Sequence, residues 1–314
     1  MIGRVGAVTD PGRTRRHNED AYVIEPPLFA IADGMGGAQA GEVASRLATA
    51  ALKEAGANGG GERRIADLIQ EANRRVYDRS SSDPNTSGMG TTITVALVED
   101  DRVSFGHVGD SRAYLIRKAR MEQLTEDHSL VNELLKTGKL SREEAETHPQ
   151  RSVITRALGT DPDVDVDTFS VQAETGDLFL LCSDGLTDMV PEDSILEVVE
   201  RHREDIDGAL RALVKAANRG GGQDNITVVA FEIAGGVLAN DGDTREQALP
   251  EDEDTLSEAD AVPTVDTAVV SVSEIQAEDR AVRRRHLRRR ILAWLAILLL
   301  VAVVGVVLYL GFVR

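Results

Sequence analysis

Short apolar runs that end on an acidic residue beside a glycine constrain this chain more than any other feature. Three such runs deliver Asp33, Asp110 and Asp184, while Glu19-Asp20 and Asp224 place acids at two further positions. Runs of this kind predict buried strands, and a neighbouring glycine lets the backbone come close to whatever the acid binds. Carboxylate and carbonyl oxygens are the ligands of hard cations such as Mg²⁺. The pattern therefore favours a cation site built from several strand ends.

A turn explains each acid better than a ligand role does when the acid is taken alone, because Asp and Gly are the commonest turn formers. Recurrence at five places between residues 19 and 224 shifts the balance toward a shared site. The acids are far apart in the sequence, so spacing alone leaves both interpretations open.

Residues 1–234 alternate between strand-like and helix-like patterns. Strands are predicted at 2–9, 21–25, 28–32, 92–98, 103–108, 112–117, 165–171, 177–183 and 226–233. Helices are predicted at 40–55, 63–80, 128–137, 141–146, 191–202 and 206–219. The strands come in clusters with short links, which favours antiparallel sheets and an α+β fold over a βαβ array.

Seven sequence blocks occur in an order that is informative as a whole. They are Arg15-x-x-Asn18-Glu19-Asp20, Asp33-Gly34-Met35-Gly36-Gly37, Gly90-Thr91-Thr92, Gly109-Asp110-Ser111-Arg112, Thr155-Arg156-Ala157-Leu158-Gly159, Ser183-Asp184-Gly185-Leu186 and Asp224-Asn225-Ile226-Thr227. Together they resemble the type-2C (PPM) family of metal-dependent serine/threonine protein phosphatases in its bacterial form. The resemblance covers most of residues 1–234, and it implies an α-β-β-α sandwich of two antiparallel sheets flanked by helix pairs.

The resemblance also implies a binuclear site for Mn²⁺ or Mg²⁺. Asp33 would bridge the two ions. Asp184 and Asp224 would complete one ion, and Glu19 with the carbonyl of Gly34 would complete the other. An all-oxygen ligand set suits these metals better than zinc.

Further roles follow from the same resemblance. Asp20 would orient a water, Asp110 with Asp184 would hold a third, weaker ion, and Arg15 would grip the phosphate with its two-pronged guanidinium. A turn role for Asp110 and a plain surface role for Arg15 are the alternatives. Met35 stands where eukaryotic relatives carry a histidine proposed as general acid, so another group must protonate the leaving oxygen.

Segment 128–157 matches in position the mobile flap of bacterial relatives. Its helical pattern, its Glu143-Glu144 pair and Arg151 indicate a substrate-facing surface. The family assigns no role to His17 or His107, and we interpret both as structural.

The overall charge excludes one class of function. A formal net charge of −18 over 314 residues argues against a nucleic-acid binder, which would present a basic face. Cys182 is the single cysteine and lies in an apolar run, so we interpret it as a core residue. No disulfide within the chain is possible.

Three segments follow the predicted catalytic domain, 1–234. Residues 235–279 hold 13 acids, one basic residue and no aromatic, a composition that predicts a disordered tether. Residues 280–290 contain seven arginines, and residues 291–313 contain no charge. As a helix, 23 residues extend about 34 Å, which is enough to cross a bilayer.

The arginines next to this apolar run predict an orientation. By the positive-inside rule they keep residues 1–290 in the cytoplasm and make 291–313 a single-pass transmembrane helix in the cell membrane. A nucleic-acid patch is the alternative for the arginines, but contact with anionic lipid fits their position better. A buried core helix is the alternative for 291–313.

These observations lead to one main functional expectation. The chain is expected to be a phosphoric monoester hydrolase that removes phosphate from serine and threonine of proteins, opposing a serine/threonine kinase, with a monomeric catalytic domain. A non-catalytic adaptor that kept the fold, and a phosphatase for small phosphate esters, are the alternatives. All the expected acids are present, which weighs against the adaptor.

Overall fold

The computed structural model describes residues 1–36, 40–56, 60–141, 144–145 and 148–235. The chain divides into two units, 1–240 and 241–314, and the described residues all belong to the first. The predicted tether beyond Gly235, the basic segment 280–290 and the predicted span 291–313 lie outside the described residues. Within the ranges described, no helix is long and apolar enough to cross a membrane.

Two five-stranded sheets, antiparallel throughout, form the centre of the described domain. The first has the order β1 (Ile2–Asp10), β12 (Ile226–Ile233), β11 (Leu178–Cys182), β8 (Arg112–Arg117), β9 (Arg120–Gln123). The second has the order β10 (Asp167–Gln172), β7 (Arg102–Val108), β6 (Ile93–Glu99), β3 (Leu28–Ala32), β2 (Ala21–Glu25). A short pair joins β4 (Gly34–Met35) to β5 (Gly90–Thr91).

Helices cover the outer faces of both sheets. The described helices are α1 (Ala40–Ala55), α2 (Gly61–Ser82), α3 (Leu130–Lys136), α4 (Asp184–Thr187), α5 (Glu192–Arg201) and α6 (Ile206–Gly220). One apolar layer lies between α1, α2 and the second sheet, and another lies between α5, α6 and the first sheet. A third layer lies between the two sheets. This order of layers is the α-β-β-α sandwich that the resemblance implied.

Strand β3 shows why the central strands are apolar throughout. Leu28, Ala30 and Ala32 pack in the layer with the helices. Phe29 and Ile31 pack in the layer between the sheets. Successive side chains point to opposite faces of a strand, so a strand that is covered on both faces needs apolar residues at every position.

A row of phenylalanines joins the two sheets. The rings of Phe29 and Phe231, which come from different sheets, stack with their centroids 4.2 Å apart. Phe179 lies 5.2 Å from Phe231 and 5.8 Å from Phe105, so the row crosses between the sheets twice. Such pairs contribute about 0.5–1.5 kcal/mol beyond their buried area. The row therefore resists sliding of one sheet over the other.

The predicted strand 92–98 is confirmed as β6, which begins one residue later, at Ile93. Thr92 N–H donates to Asp33 O at 2.9 Å, and Thr92 Oγ1 accepts from Asp33 N–H at 3.0 Å. These bonds turn the chain toward Asp33 between β5 and β6. Thr92 therefore lies outside β6, because its polar groups bond to the main chain of Asp33.

Four short elements of the described domain were not predicted from the sequence: β4, β5, β9 and α4. β9 is a short polar edge strand, and α4 is a single turn that begins on Asp184. The predicted helix 128–137 starts later, because Ser129 Oγ accepts the N–H of Asn132 at 3.3 Å and so caps the first turn. The predicted helix 141–146 lies partly outside the described residues. The remaining predicted elements agree with the observed ones to within two residues at either end.

Candidate active site

One edge of the sandwich collects the acids that the sequence singles out. β3 and β7 are both antiparallel to β6, so their carboxyl ends, followed by Asp33 and Asp110, share this edge. β11 is antiparallel to β12, which brings Asp184, just after one strand, to the same end as Asp224, just before the other. Asp20 precedes β2, whose first residue pairs with the last residue of β3. Acids from both sheets therefore meet at one edge.

Asp20 connects the two sheets through one carboxylate oxygen. Its Oδ2 accepts hydrogen bonds from Thr227 Oγ1 at 2.6 Å and from Ser183 Oγ at 3.0 Å. Thr227 lies in β12 and Ser183 follows β11, so both donors belong to the first sheet. Its Oδ1 is buried and makes no hydrogen bond within the described part of the chain. Burial raises the pKa of Asp20 to about 6, although the two hydroxyl donors oppose the shift. Asp20 thus has one fixed oxygen and one that is free to bind.

Asp33 is held by its backbone, which leaves its carboxylate free for another role. Besides the two bonds to Thr92, its carbonyl accepts from Thr91 Oγ1 at 2.8 Å. Thr91 and Thr92 of the Gly-Thr-Thr block therefore fix the backbone N–H and carbonyl of Asp33. Burial raises the pKa of Asp33 well above its usual range, and the charges of Asp20 and Asp184 raise it further.

Asp184 and Asp110 lie in a similar electrostatic setting. Asp184 Oδ1 is buried and, in the described residues, without a hydrogen-bond partner. Burial, followed by the charges of Asp110 and Asp224, raises the pKa of Asp184 well above its usual range. Burial raises the pKa of Asp110 to about 7, and Asp127 adds to the shift. Without a counter-charge, these acids oppose one another's ionisation.

Glycines bring Glu19 against the start of β4. A Cβ on Gly34 would lie 2.5 Å from Glu19 O, and a Cβ on Gly41 would lie 2.7 Å from Glu19 Oε2. Neither position accepts a side chain without displacing the Glu19 segment. Burial raises the pKa of Glu19, while the Arg15 cation opposes the shift. Glu19 and Gly34, predicted to serve one ion, therefore lie side by side.

Asn225 is an organising residue to which the sequence reading assigned no role. Its Oδ1 accepts Glu19 N–H at 2.8 Å. Its Nδ2 donates to Pro11 O and to His17 O, each at 3.0 Å. This buried amide ties the loop before β2 to the residue next to Asp224. Asn in the Asp-Asn-Ile-Thr block was a usable signal, but its partners emerge only from the fold.

Arg15 extends over the acidic edge from an exposed loop. Its Nη2 donates to Asp224 Oδ2 at 2.6 Å, and half of its side chain is exposed. The loop is anchored by Gly222 O, which accepts Arg13 N–H at 2.8 Å and Thr14 N–H at 3.2 Å. Arg15, predicted to bind phosphate, is therefore ion-paired in this structure with Asp224, which is predicted to bind a metal ion.

Asp188 is a further acid that sequence reasoning missed. It follows Asp184 by one helical turn, and its N–H donates to Asp184 O at 2.8 Å. Its charge raises the pKa of both Asp184 and Asp110. Arg151, from the predicted flap, lies 3.7 Å from Asp188. The i, i+4 spacing was visible in the sequence, but it is informative only once α4 is known to be helical.

The donor set fits hard divalent cations. Asp20 and Asp184 each bury an oxygen that has no hydrogen-bond partner among the described residues, and every predicted ligand atom is an oxygen. In the described ranges, no three Asp, Glu, His or Cys side chains already surround one point as ligands of an ion would. The metal-ligand roles of the individual residues stay predictions.

Comparison with known proteins adds independent information. The family model of protein phosphatase 2C matches residues 13–219. The serine/threonine phosphatase stp of Listeria monocytogenes is 44% identical over 236 residues, which are 71% of this chain and 93% of that protein. The structure of the Mycobacterium tuberculosis serine/threonine phosphatase PstP/Ppp has a TM-score of 0.71 at 38% identity, covering 75% of this chain and 100% of that one. A structure of the PstP catalytic domain in complex with two manganese ions has a TM-score of 0.69 at 36% identity, covering 74% and 99%.

The region matched by the family model contains nearly all residues of the site described above. Residues 13–219 include all of the predicted site residues except Asp224, which lies just beyond them. The identity extends over nearly the whole Listeria protein, and the fold agrees with that of the mycobacterial enzyme. The chain therefore belongs to the protein phosphatase 2C family, and it is a serine/threonine phosphatase.

Proposed function

We propose that the chain hydrolyses phosphoserine and phosphothreonine of proteins with two Mn²⁺ or Mg²⁺ ions held at the acidic edge of the sandwich. The observation that carries this proposal is the convergence of buried carboxylates from both sheets. Two of these carboxylates have an oxygen without a hydrogen-bond partner in the part of the chain that the structure describes. A similar catalytic domain, that of PstP, has been solved with two manganese ions. A non-catalytic adaptor would not need to keep these costly buried acids.

Each acid receives a specific task in this proposal. Asp33 would be shared by the two ions, Asp184 and Asp224 would hold one of them, and Glu19 with the Gly34 carbonyl would hold the other. When bound, such a pair of ions neutralises phosphate charge and lowers the pKa of a shared water toward neutrality. The geometry around Gly34 and Gly41 supports the Glu19 assignment, because it places that carboxylate beside the Gly34 backbone.

Asp20 and Arg15 act on the reacting groups. Ser183 and Thr227 hold one oxygen of Asp20, so its other oxygen is available to orient the attacking water. Arg15, which pairs with Asp224 in this structure, would bind two phosphate oxygens with its guanidinium when Asp224 is neutralised. Asp110, with Asp184, holds a third, weaker ion.

We further propose that the enzyme is a single-pass protein of the cell membrane with its catalytic domain in the cytoplasm. Residues 291–313 supply an uncharged run of spanning length, 280–290 supply arginines for anionic lipid, and 235–279 supply an acidic tether. The proposed substrates are phosphorylated proteins, among them a serine/threonine kinase and its targets.

Metal removal tests the proposed mechanism. Hydrolysis of a phosphothreonine peptide is expected to stop in EDTA and to return with Mn²⁺ or Mg²⁺, because the carboxylates alone supply no nucleophile. Asp33→Asn is expected to lower kcat by roughly 100-fold or more at every metal concentration. Its circular-dichroism spectrum serves as the control for folding. Full activity in EDTA would contradict the metal mechanism.

Stability of the metal-free enzyme is expected to fall as pH rises. The folded state raises the pKa of Asp20 to about 6 and of Asp110 to about 7, above the usual value of about 4. Folding therefore favours the protonated acids, so their stabilising effect is complete below pH 4 and disappears by about pH 7. In EDTA, the free energy of unfolding should drop by on the order of 2 kcal/mol between pH 5 and pH 7.5.

Bound Mn²⁺ is expected to remove most of that drop, because the cations offset the ionised acids. Urea denaturation at both pH values, with EDTA or Mn²⁺, measures the effect. Asp33→Asn, which removes one charge from the cluster, should show a smaller drop in EDTA. An equal drop with and without Mn²⁺ would show that the cations do not bind among these acids.

Arg15→Ala is expected to raise KM for the phosphopeptide more than it lowers kcat, because a ground-state contact with phosphate is lost. Arg15→Lys should recover part of the loss, since it keeps the charge without the fork. Arg16→Ala, in the same exposed loop, is the matched control and should change KM little. Steady-state kinetics distinguish these outcomes. A fall in kcat at constant KM would assign Arg15 to the transition state alone.

The full chain is expected to stay with membranes in high salt and in carbonate, because a spanning helix is not held by charge. Truncation after residue 234 should release a soluble enzyme with nearly unchanged peptide turnover, since all proposed site residues remain. Membrane fractionation followed by peptide assay provides the measurement. Release of the full chain by salt alone would refute the span at 291–313.

A further inference from the structure

A chain of hydrogen bonds leads to Asp110 from His128, a buried residue outside the proposed site. His128 Nδ1 accepts Gly109 N–H at 3.0 Å, and His128 N–H donates to Gly109 O at 2.7 Å. The same residue therefore holds both polar groups of Gly109, the residue directly before Asp110. Gly109 has φ of +116°, and a Cβ there would lie 2.5 Å from Thr92 Cβ. This close, left-handed approach needs glycine and fixes the path of the loop.

The other ring nitrogen of His128 is anchored on a different strand. Nε2 lies 3.1 Å from Asp167 Oδ2 and 3.0 Å from Arg156 Nη1, and Arg156 Nη1 donates to Asp167 Oδ1 at 2.6 Å. Because Nδ1 accepts from Gly109, the neutral ring carries its proton on Nε2 and donates it to Asp167. Burial lowers the pKa of His128, which favours this neutral form.

His128 is also the point where segment 128–157 joins the domain. Its carbonyl accepts Thr155 N–H at 2.8 Å, and Leu130 N–H donates to Val153 O at 2.9 Å. Ser129 and Ile154 form a bridge between these bonds. The two ends of segment 128–157 are thus hydrogen-bonded to each other at His128. His128 in turn bonds to Gly109, the residue before Asp110.

From this geometry we propose that His128 is a positioning residue that sets the affinity of the Asp110 ion by holding the Gly109 peptide. The inference rests on the proposed function, in which Asp110 serves the third, weaker ion. Partners that orient metal ligands typically change metal affinity by about 10- to 100-fold when removed. The interaction with Gly109, rather than the one with Asp167, is the decisive contact.

Two substitutions separate the two ends of the ring. His128→Asn keeps an acceptor near the Nδ1 position and can bind Gly109 N–H, but it cannot reach Asp167. His128→Gln keeps a polar group near the Nε2 position and can bind Asp167, but it leaves Gly109 N–H without an acceptor. His107→Gln is the matched control, because His107 is a buried histidine whose ring lies 4.9 Å from that of His128. Its nitrogens bond Thr94 Oγ1 and Glu126 O, not Gly109.

The measurement is Mn²⁺ binding to the full chain in detergent by isothermal titration calorimetry, accompanied by the Mn²⁺ dependence of peptide hydrolysis. We expect His128→Gln to weaken the weakest Mn²⁺ binding step about tenfold and to leave the tighter steps unchanged. His128→Asn and His107→Gln are expected to change the affinity of the weakest Mn²⁺ step by less than about twofold, because both variants keep a hydrogen bond to Gly109 N–H. Thermal unfolding of all variants controls for a general loss of stability.

Asp110→Ala separates failure of this inference from failure of the proposed function. If Asp110→Ala leaves the weakest Mn²⁺ step unchanged, the third-ion assignment itself is wrong. If Asp110→Ala removes that step while folded His128→Gln keeps its affinity, the role of His128 is overturned. Weakening by His128→Asn but not by His128→Gln would also overturn it, because the Asp167 contact would then be the important one.

Discussion

Close burial of carboxylates at one edge of the sandwich is the constraint on which the rest of the site depends. Beyond the effect of burial, the charges of Asp20, Asp184 and Asp110 raise the pKa of Asp33, and the charge of Asp110 raises the pKa of Asp184, so the cluster is electrostatically unfavourable without cations. The fold supplies the stability that this arrangement lacks. Hydrogen bonds hold the backbone of Asp33 and one oxygen of Asp20, so the remaining carboxylate oxygens are available for binding.

The geometry of the site therefore depends on how the two sheets are positioned relative to each other. Asp33 and Asp110 follow strands of one sheet, while Asp184 and Asp224 flank strands of the other. The stacked phenylalanines between the sheets and the hydroxyl contacts to Asp20 hold this position from the core and from the edge. A core substitution that shifts the sheets would change the site without touching any acid, since packed interiors transmit small displacements.

Sequence patterns predicted the buried strands well, because a strand covered on both faces, such as 28–32 or 178–182, must be apolar throughout. They failed where polar groups or short length remove the periodicity, as in β9 and α4. Family resemblance supplied the list of acids, whereas their spacing alone left a turn interpretation open. The partners of Asn225 depend on strand register, which no local pattern contains. The approach of Asp188 to Asp184 depends on the single helical turn α4, which is too short to give a periodic signal.

Arg15 connects metal binding to substrate binding in the proposed mechanism. In this structure its guanidinium pairs with Asp224 at 2.6 Å, so it partly neutralises an acid that a cation is proposed to bind. An exposed pair of this kind is weak, and a divalent cation competes with it effectively. A cation held by Asp224 would leave the Arg15 guanidinium available for phosphate. On grounds of charge, the proposed phosphate site would therefore be complete only when Asp224 is neutralised.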